Sequence, residues 1–222
     1  MDALTTQTLS GVQTSIEIAG TVAFALSGVM EAARKKLDAV GVCAVASVAA
    51  FGGGTLRDVL LDRRPLFWIE QSWYLWSVLA LCLAAMFLMR AKHFKPTEKS
   101  MQWPDALGLG LFAASGTQIA LGLDMPALIS VLMGVITATF GGVLRDIVCN
   151  EIPTAFHDHH PYAVCAFAGG WVVVAVPAAG VGTSIDFGFA NAVLFAAFDA
   201  VFVAVSSDLG RAVALRLNGQ DI

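Results

Sequence analysis

Charge is scarce in this chain. Only 14% of its 222 residues are charged, 13 Lys and Arg against 17 Asp and Glu, while 57% are hydrophobic. About a quarter of the residues in an ordinary soluble domain are charged, so this polar coat is too thin for one. The net charge of −4 says little by itself, because placement matters more than the sum, and nucleic acid is not an expected partner. A Gly-x4-Gly-Lys-Ser/Thr phosphate loop is lacking, which removes an ATP-driven pump from consideration. The cysteines Cys43, Cys82, Cys149 and Cys165 lack Cys-x-x-Cys spacing and read as small core residues. No Ser-His-Asp arrangement can be assembled, and His157-Asp158-His159-His160 reads as a solvated loop rather than a metal site. An enzyme, a cofactor and a bound metal are therefore not expected. The strict alternation of a transmembrane barrel is missing as well, which leaves helices as the spanning element.

What the chain does have is long apolar runs, and its mean hydropathy is +0.74. A spanning helix needs about 20 mainly apolar residues. Seven stretches qualify: Ser15–Ala33, Ala39–Leu60, Ser72–Met89, Ala106–Leu123, Pro126–Val148, Tyr162–Ala179 and Phe187–Ser207. The expected fold is an all-α integral membrane protein, one domain over 1–222. Met1-Asp2-Ala3-Leu4 carries no basic residue ahead of the first run, which points to a retained helix rather than a cleaved signal. Arg34, Lys35, Lys36, Arg90, Lys92, Lys95, Lys99, Arg211 and Arg216 share one side, against Arg63 and Arg64 on the other. By the positive-inside rule the amino terminus faces outward and the carboxyl terminus is cytoplasmic, in an inner (plasma) membrane. The polar segment Ala91–Asp105, with Pro96 and Pro104, reads as a linker. Trp68, Trp73, Trp76 and Trp103 read as interface anchors.

One signature occurs twice. Gly52-Gly53-Gly54-Thr55-Leu56-Arg57-Asp58 is matched by Gly141-Gly142-Val143-Leu144-Arg145-Asp146, and Arg145 follows Arg57 by 88 residues. Phe24-Ala25-Leu26-Ser27-Gly28 falls on Phe112-Ala113-Ala114-Ser115-Gly116, and Pro65 on Pro153, at the same spacing. The chain is a duplication, with repeat one at about 15–90, repeat two at about 104–180 and an added seventh helix at about 187–208. Three spans per repeat is odd, so the second copy enters the membrane inverted.

Glycines and charges inside spans need an explanation. Gly52, Gly53, Gly54, Gly141 and Gly142 admit two readings, close helix packing or a bend that exposes carbonyls to an aqueous path. The adjoining Arg-Asp pairs favour the bend. Charges at membrane depth face a protein interior or water, and helix neighbours do not face one another. Arg57, Asp58, Arg145 and Asp146 are therefore expected to pair across the repeats, Arg57 with Asp146 and Arg145 with Asp58, or to stand beside a permeation path as pore charges or a gate. Ser27, Ser115, Thr117, Gln118, Thr137 and Thr139 are candidate pore-lining groups, although each alone more often bonds its own helix. Asp199 is an isolated intramembrane charge without a nameable partner. Glu17 and Glu31 lie near the ends of the first span, where they can reach the interface.

These paired motifs, with Pro65-Leu66-Phe67-Trp68 and Pro153-Thr154-Ala155-Phe156 behind them, resemble the prokaryotic TRIC family of trimeric intracellular cation channels. The resemblance covers nearly the whole chain. It implies a homotrimer in membrane lipid, with a pore in each subunit that passes monovalent cations, mainly potassium. It also implies that the second and fifth spans bend at Gly52–Gly54 and at Gly141–Gly142, where Phe140 replaces a third glycine. Basic residues on the fifth span of animal relatives bind an anionic lipid, and Arg145 is the nearest match here. Some bacterial relatives are described as amino-acid uptake proteins, so a secondary transporter of a small zwitterion such as glycine is the alternative. A structural scaffold would leave the repeated Arg-Asp unexplained.

Overall fold

The computed structural model describes residues 3–90, 97–156 and 162–178. Its long helices are α1 (Ala3–Arg34), α2 (Ala39–Leu60), α4 (Trp73–Arg90), α5 (Glu98–Gly122), α6 (Ala127–Val148) and α7 (Tyr162–Ala178). A short α3 (Phe67–Glu70) and a 3-10 turn (Thr154–Phe156) occupy matching places after α2 and α6. The fold is all-α, with no strand among the described residues. Gln13–Arg34, Ala39–Leu60 and Ala127–Val148 are long and apolar enough to cross a membrane, while Trp73–Phe87 and Tyr162–Ala175 are apolar but shorter. The expected seventh helix, its Asp199 and the His157–His160 cluster lie outside the described residues.

Two boundaries differ from the sequence reading. Helix α1 begins at Ala3 rather than near Ser15. The linker read as Ala91–Asp105 is already helix from Glu98. A capping box starts it: the Thr97 hydroxyl accepts from the Ser100 amide, and the Ser100 hydroxyl accepts from the Thr97 amide. Pro104 sits inside the helix and removes one amide donor without ending it.

The duplication extends to the backbone. Four non-glycine residues take left-handed φ values, Lys36 (56°), Asp62 (51°), Asp124 (56°) and Asn150 (55°). They form two pairs, since 124 − 36 and 150 − 62 are both 88. Each closes a helix with the long return hydrogen bond of a Schellman turn: Leu37 N–H to Ala32 O, Arg63 N–H to Asp58 O, Met125 N–H to Ala120 O and Glu151 N–H to Asp146 O. Asp and Asn tolerate this conformation better than most residues.

The halves meet around a pseudo-two-fold axis. Phe24 of α1 stacks on Phe112 of α5 with centroids 5.4 Å apart. Gly20 leaves room for the Phe112 ring and Gly108 for the Phe24 ring. Helices α2 and α6 cross in the same reciprocal way. A Cβ added at Gly53 would lie 2.0 Å from the Thr137 carbonyl oxygen, and one at Gly141 would lie 2.3 Å from that of Ala49. An unwound turn, one form of the bend expected at these glycines, is not present. Both helices run unbroken through Gly52–Gly54 and Gly141–Gly142. Backbone contact across the axis is what these glycines allow.

Gly53→Ala and Gly141→Ala force a methyl group into a backbone oxygen and must push α2 and α6 apart. Such overpacking costs about 1–3 kcal/mol, and each variant is expected to melt several degrees lower in detergent. Gly122→Ala, with nothing within 4 Å of the new Cβ, serves as the control and should melt like the parent. Equal melting of all three would remove the close-crossing explanation.

Paired arginine clusters as the candidate functional site

Arg57 lies three residues before the end of α2 and is 1% exposed. Its Nε donates to Asp58 Oδ1 at 2.8 Å, and Nη1 donates to Glu17 Oε1 of α1 at 2.7 Å. Asp58 Oδ2 accepts the Phe67 amide at 2.9 Å. The Tyr74 hydroxyl of α4 donates to Glu17 Oε2 at 3.3 Å. The Phe67 ring lies 5.4 Å from Arg57 Cζ, within cation–π range. Arg63, a half-buried side chain whose Nη1 is itself buried, places that atom 3.6 Å from Asp58 Oδ1.

Arg145 repeats the arrangement in α6 and is 0% exposed. Its Nε donates to Asp146 Oδ1 at 2.8 Å, and Nη1 donates to Asp105 Oδ1 of α5. Asp146 Oδ2 accepts the Thr154 amide at 2.9 Å and the Thr154 hydroxyl at 3.1 Å. The Tyr162 hydroxyl of α7 donates to Asp105 Oδ2 at 2.6 Å. Four members have mates 88 residues on, Glu17 and Asp105, Arg57 and Arg145, Asp58 and Asp146, Tyr74 and Tyr162, whereas Glu151 stands at that spacing from Arg63.

The expected cross-repeat pairs, Arg57 with Asp146 and Arg145 with Asp58, do not form. Each arginine is neutralised within its own repeat, by the following aspartate and by an acid on the repeat's first helix. Adjacent residues do meet here, because the arginine curls back along its own helix end. The aspartate's second oxygen is then free to cap the incoming chain. Arg57 and Arg145 sit about 5 Å from their helix ends, at 1.5 Å per residue, rather than at mid-helix. In an inverted pair those ends face opposite ways. The second cluster holds one guanidinium and two carboxylates, an excess of one negative charge when all are ionised, while in the first Arg63 joins Arg57 beside the two acids.

The other candidates separate clearly. Ser27 crosses from repeat one into the second cluster, where it donates to Asp105 Oδ1 at 3.0 Å and accepts from Arg145 Nη1. Ser115 and Thr117 are fully buried, and their hydroxyl oxygens have no hydrogen-bond partner among the described residues. Thr137 and Thr139 bond back to the carbonyls of Met133 and Val135 at 2.6 and 2.8 Å, as ordinary helical threonines do. Gln118 is exposed. The lipid-binding role implied for Arg145 is also corrected: a guanidinium with no exposure, held by two carboxylates, presents no charge to a headgroup.

Four members were not recognised in the sequence. Glu17 is 7% exposed and Asp105 is 6% exposed, so neither is the interfacial or linker residue it resembles. The signal was available, because the chain contains two tyrosines and they stand 88 apart. Glu31, also buried, pairs with Arg34 at 3.1 Å. Lys35 pairs with Glu151, which puts the end of α1 beside the turn after α6. The four cysteines form no disulfide.

Comparison with known proteins agrees with this geometry. A family model described as "Glycine transporter" matches twice, at residues 14–90 and 102–178. A UPF0126 membrane protein of Vibrio cholerae is 41% identical over 160 residues, covering 70% of this chain and 64% of that protein, less than two thirds of its length. The UPF0126 inner membrane protein YadS of Escherichia coli K12 is 36% identical over 157 residues, 71% of this chain and 75% of that one. The solved TRIC trimeric intracellular cation channel orthologue from Rhodobacter sphaeroides is 34% identical with a TM-score of 0.75, covering 86% of this chain and 98% of that chain. Another solved TRIC cation channel is 30% identical with a TM-score of 0.73, covering 88% and 93%. Double occurrence of one family model, on two halves that share a buried arginine cluster, leads to a single assignment: this chain is a membrane protein of the TRIC family, to which the glycine-transporter sequence model also belongs.

Proposed function

We propose that the chain is a passive channel for monovalent cations, potassium foremost, working as a homotrimer with a pore in each subunit between the inverted repeats. The observation that carries this reading is the likeness to solved TRIC cation channels at 34% and 30% identity over 86% and 88% of the chain. The orientation that goes with it has the amino terminus outside and the carboxyl terminus cytoplasmic, by the positive-inside rule.

Two buried arginines would by themselves repel a permeant cation. The acids around them offset that charge. A cation arriving at the second cluster meets one guanidinium and two carboxylates, Asp105 and Asp146, and at the first it meets Glu17 and Asp58 with Arg57 and Arg63. A ring or cluster with acid excess is a familiar way of favouring cations. As a gate, each arginine starts from a fully paired position, so its release must be offset by new partners or by water. A gate of this kind opens as a unit with its acids.

The second reading, a secondary transporter of a small zwitterion such as glycine, is favoured by the description of the matching family model. A planar bilayer under a potassium gradient separates the two. Unitary currents above any carrier turnover support the channel. Saturable, ion-coupled glycine uptake in liposomes without such currents supports the carrier.

Asp105→Asn removes the excess charge of the second cluster while keeping an acceptor for Arg145. Its potassium conductance is expected to fall about twofold or more at 0.1 M KCl and to approach the parent at 1 M, where the Debye length shrinks to about 3 Å. A conductance unchanged at both salts would exclude an electrostatic role for that cluster. Arg145→Ala leaves two buried carboxylates uncompensated, which costs about 3–5 kcal/mol. It is expected to lower folded yield sharply by size-exclusion chromatography, with partial recovery in Arg145→Ala/Asp105→Asn.

A further inference from the structure

The two clusters share a buried arginine, two acids and a tyrosine, and they differ around that set. Arg63 stands 3.6 Å from Asp58 in the first alone, and the second alone is reached by a serine of the opposite repeat. Ser27 bridges Arg145 and Asp105 from the opposite repeat. Its mate at 27 + 88, Ser115, is as fully buried, yet its oxygen has no partner among the described residues. The second cluster is also the tighter one in other respects. Tyr162 lies 2.6 Å from Asp105, against 3.3 Å for Tyr74 and Glu17. Asp146 Oδ2 receives two hydrogen bonds from Thr154, whereas Asp58 Oδ2 receives one from Phe67. A buried hydroxyl left unpaired bears a desolvation cost that a partner would remove.

We propose that Ser27 and Ser115 are alternative latches of a two-state movement of the inverted repeats. In the state described, Ser27 holds the second cluster shut and the first is unlatched. In the exchanged state Ser115 engages Arg57 and Glu17, while Ser27 releases Arg145 and Asp105. Symmetry supplies the reason. Halves with one backbone plan and the same buried arginine, acids and tyrosine, held in different local states, reach a second arrangement by exchanging those states. Both serines act through an arginine and its acid, so they are positioning residues. The inference rests on the reading of this chain as a transport protein, channel or carrier, since either needs a second state. The extra methylene of Glu17 relative to Asp105 makes the two states unequal, which fits the occupancy of one latch here.

Amide hydrogen exchange in lipid nanodiscs tests the latch without reading any flux, so it stands apart from the choice of permeant. Ser27→Ala is expected to raise exchange about tenfold over residues 150–156 and to lower it over 62–71. Ser115→Ala, which breaks no bond in the described state and so should fold, is expected to lower exchange over 150–156. The double variant should return both segments to within about twofold of the parent. If Ser27→Ala loosens its own end alone, or loosens both ends, the movement is not an exchange. A double variant that stays at the level of Ser27→Ala overturns the proposal equally. In bilayer recordings, opposite shifts of open probability in the two single variants support it, and shifts in the same direction overturn it.

Discussion

A guanidinium carried into the interior of a membrane protein must bring its counter-charges with it, and that requirement organises each repeat. Glu17 comes from α1, Arg57 and Asp58 from α2, the Phe67 amide from α3 and the Tyr74 hydroxyl from α4. One charge network therefore ties every helix of the repeat at a single point. In the second half Asp105, Arg145, Asp146, Thr154 and Tyr162 do the same for α5, α6, the 3-10 turn and α7. Apolar packing alone specifies helix position weakly in lipid, where the surroundings are as apolar as the interface. A buried ion pair adds direction, because only one arrangement leaves no charge exposed to hydrocarbon.

Much of this was legible in the sequence, and the failures have physical causes. The duplication, the all-α fold and the second span, Ala39–Leu60, follow from apolar run length and the repeated Arg-Asp. The acidic partners were hidden by position. Glu17 lies in the first span where an interfacial acid is also expected, and Asp105 follows a proline in a polar stretch that resembles a linker. Their equivalence is chemical, Glu against Asp, and so escapes a search for identical letters. The start of α5 was missed because Pro96 and Pro104 outweighed a capping box that only the hydroxyls of Thr97 and Ser100 reveal.

The glycines show how one residue type serves two opposite purposes in a membrane. A missing Cβ allows a helix to open, and it also allows two helices to touch. What decides between them is whether the freed space is taken by another backbone. At Gly53 and Gly141 it is, by the Thr137 and Ala49 carbonyls, and the symmetry of that contact leaves no slack for an unwound turn. The crossing of α1 with α2 near Gly28 and Ala46 has its mate where Gly116 of α5 meets Gly134 of α6. Close backbone approach thus recurs wherever an inner helix crosses its neighbour.

Backbone contacts and charge clusters have stayed alike in the two halves, but the filling around them has not. Val29, Val42, Ala46, Phe51 and Cys82 belong to the apolar core of the first repeat. Their mates at +88 are Thr117, Ser130, Gly134, Thr139 and Gly170. Such replacements cost little where a hydroxyl finds a nearby carbonyl, as Thr139 does at Val135 of its own helix and Ser130 does at Met125 just ahead of α6. Swapping Arg57 or Asp58 would instead strand a charge, and a side chain at Gly53 would separate two helices. The duplicated fold has therefore kept those positions where a change is expensive in lipid, and it has diverged where a polar atom can be satisfied locally. Thr117 is the exception that marks the limit: it is fully buried, and its hydroxyl has found no such return.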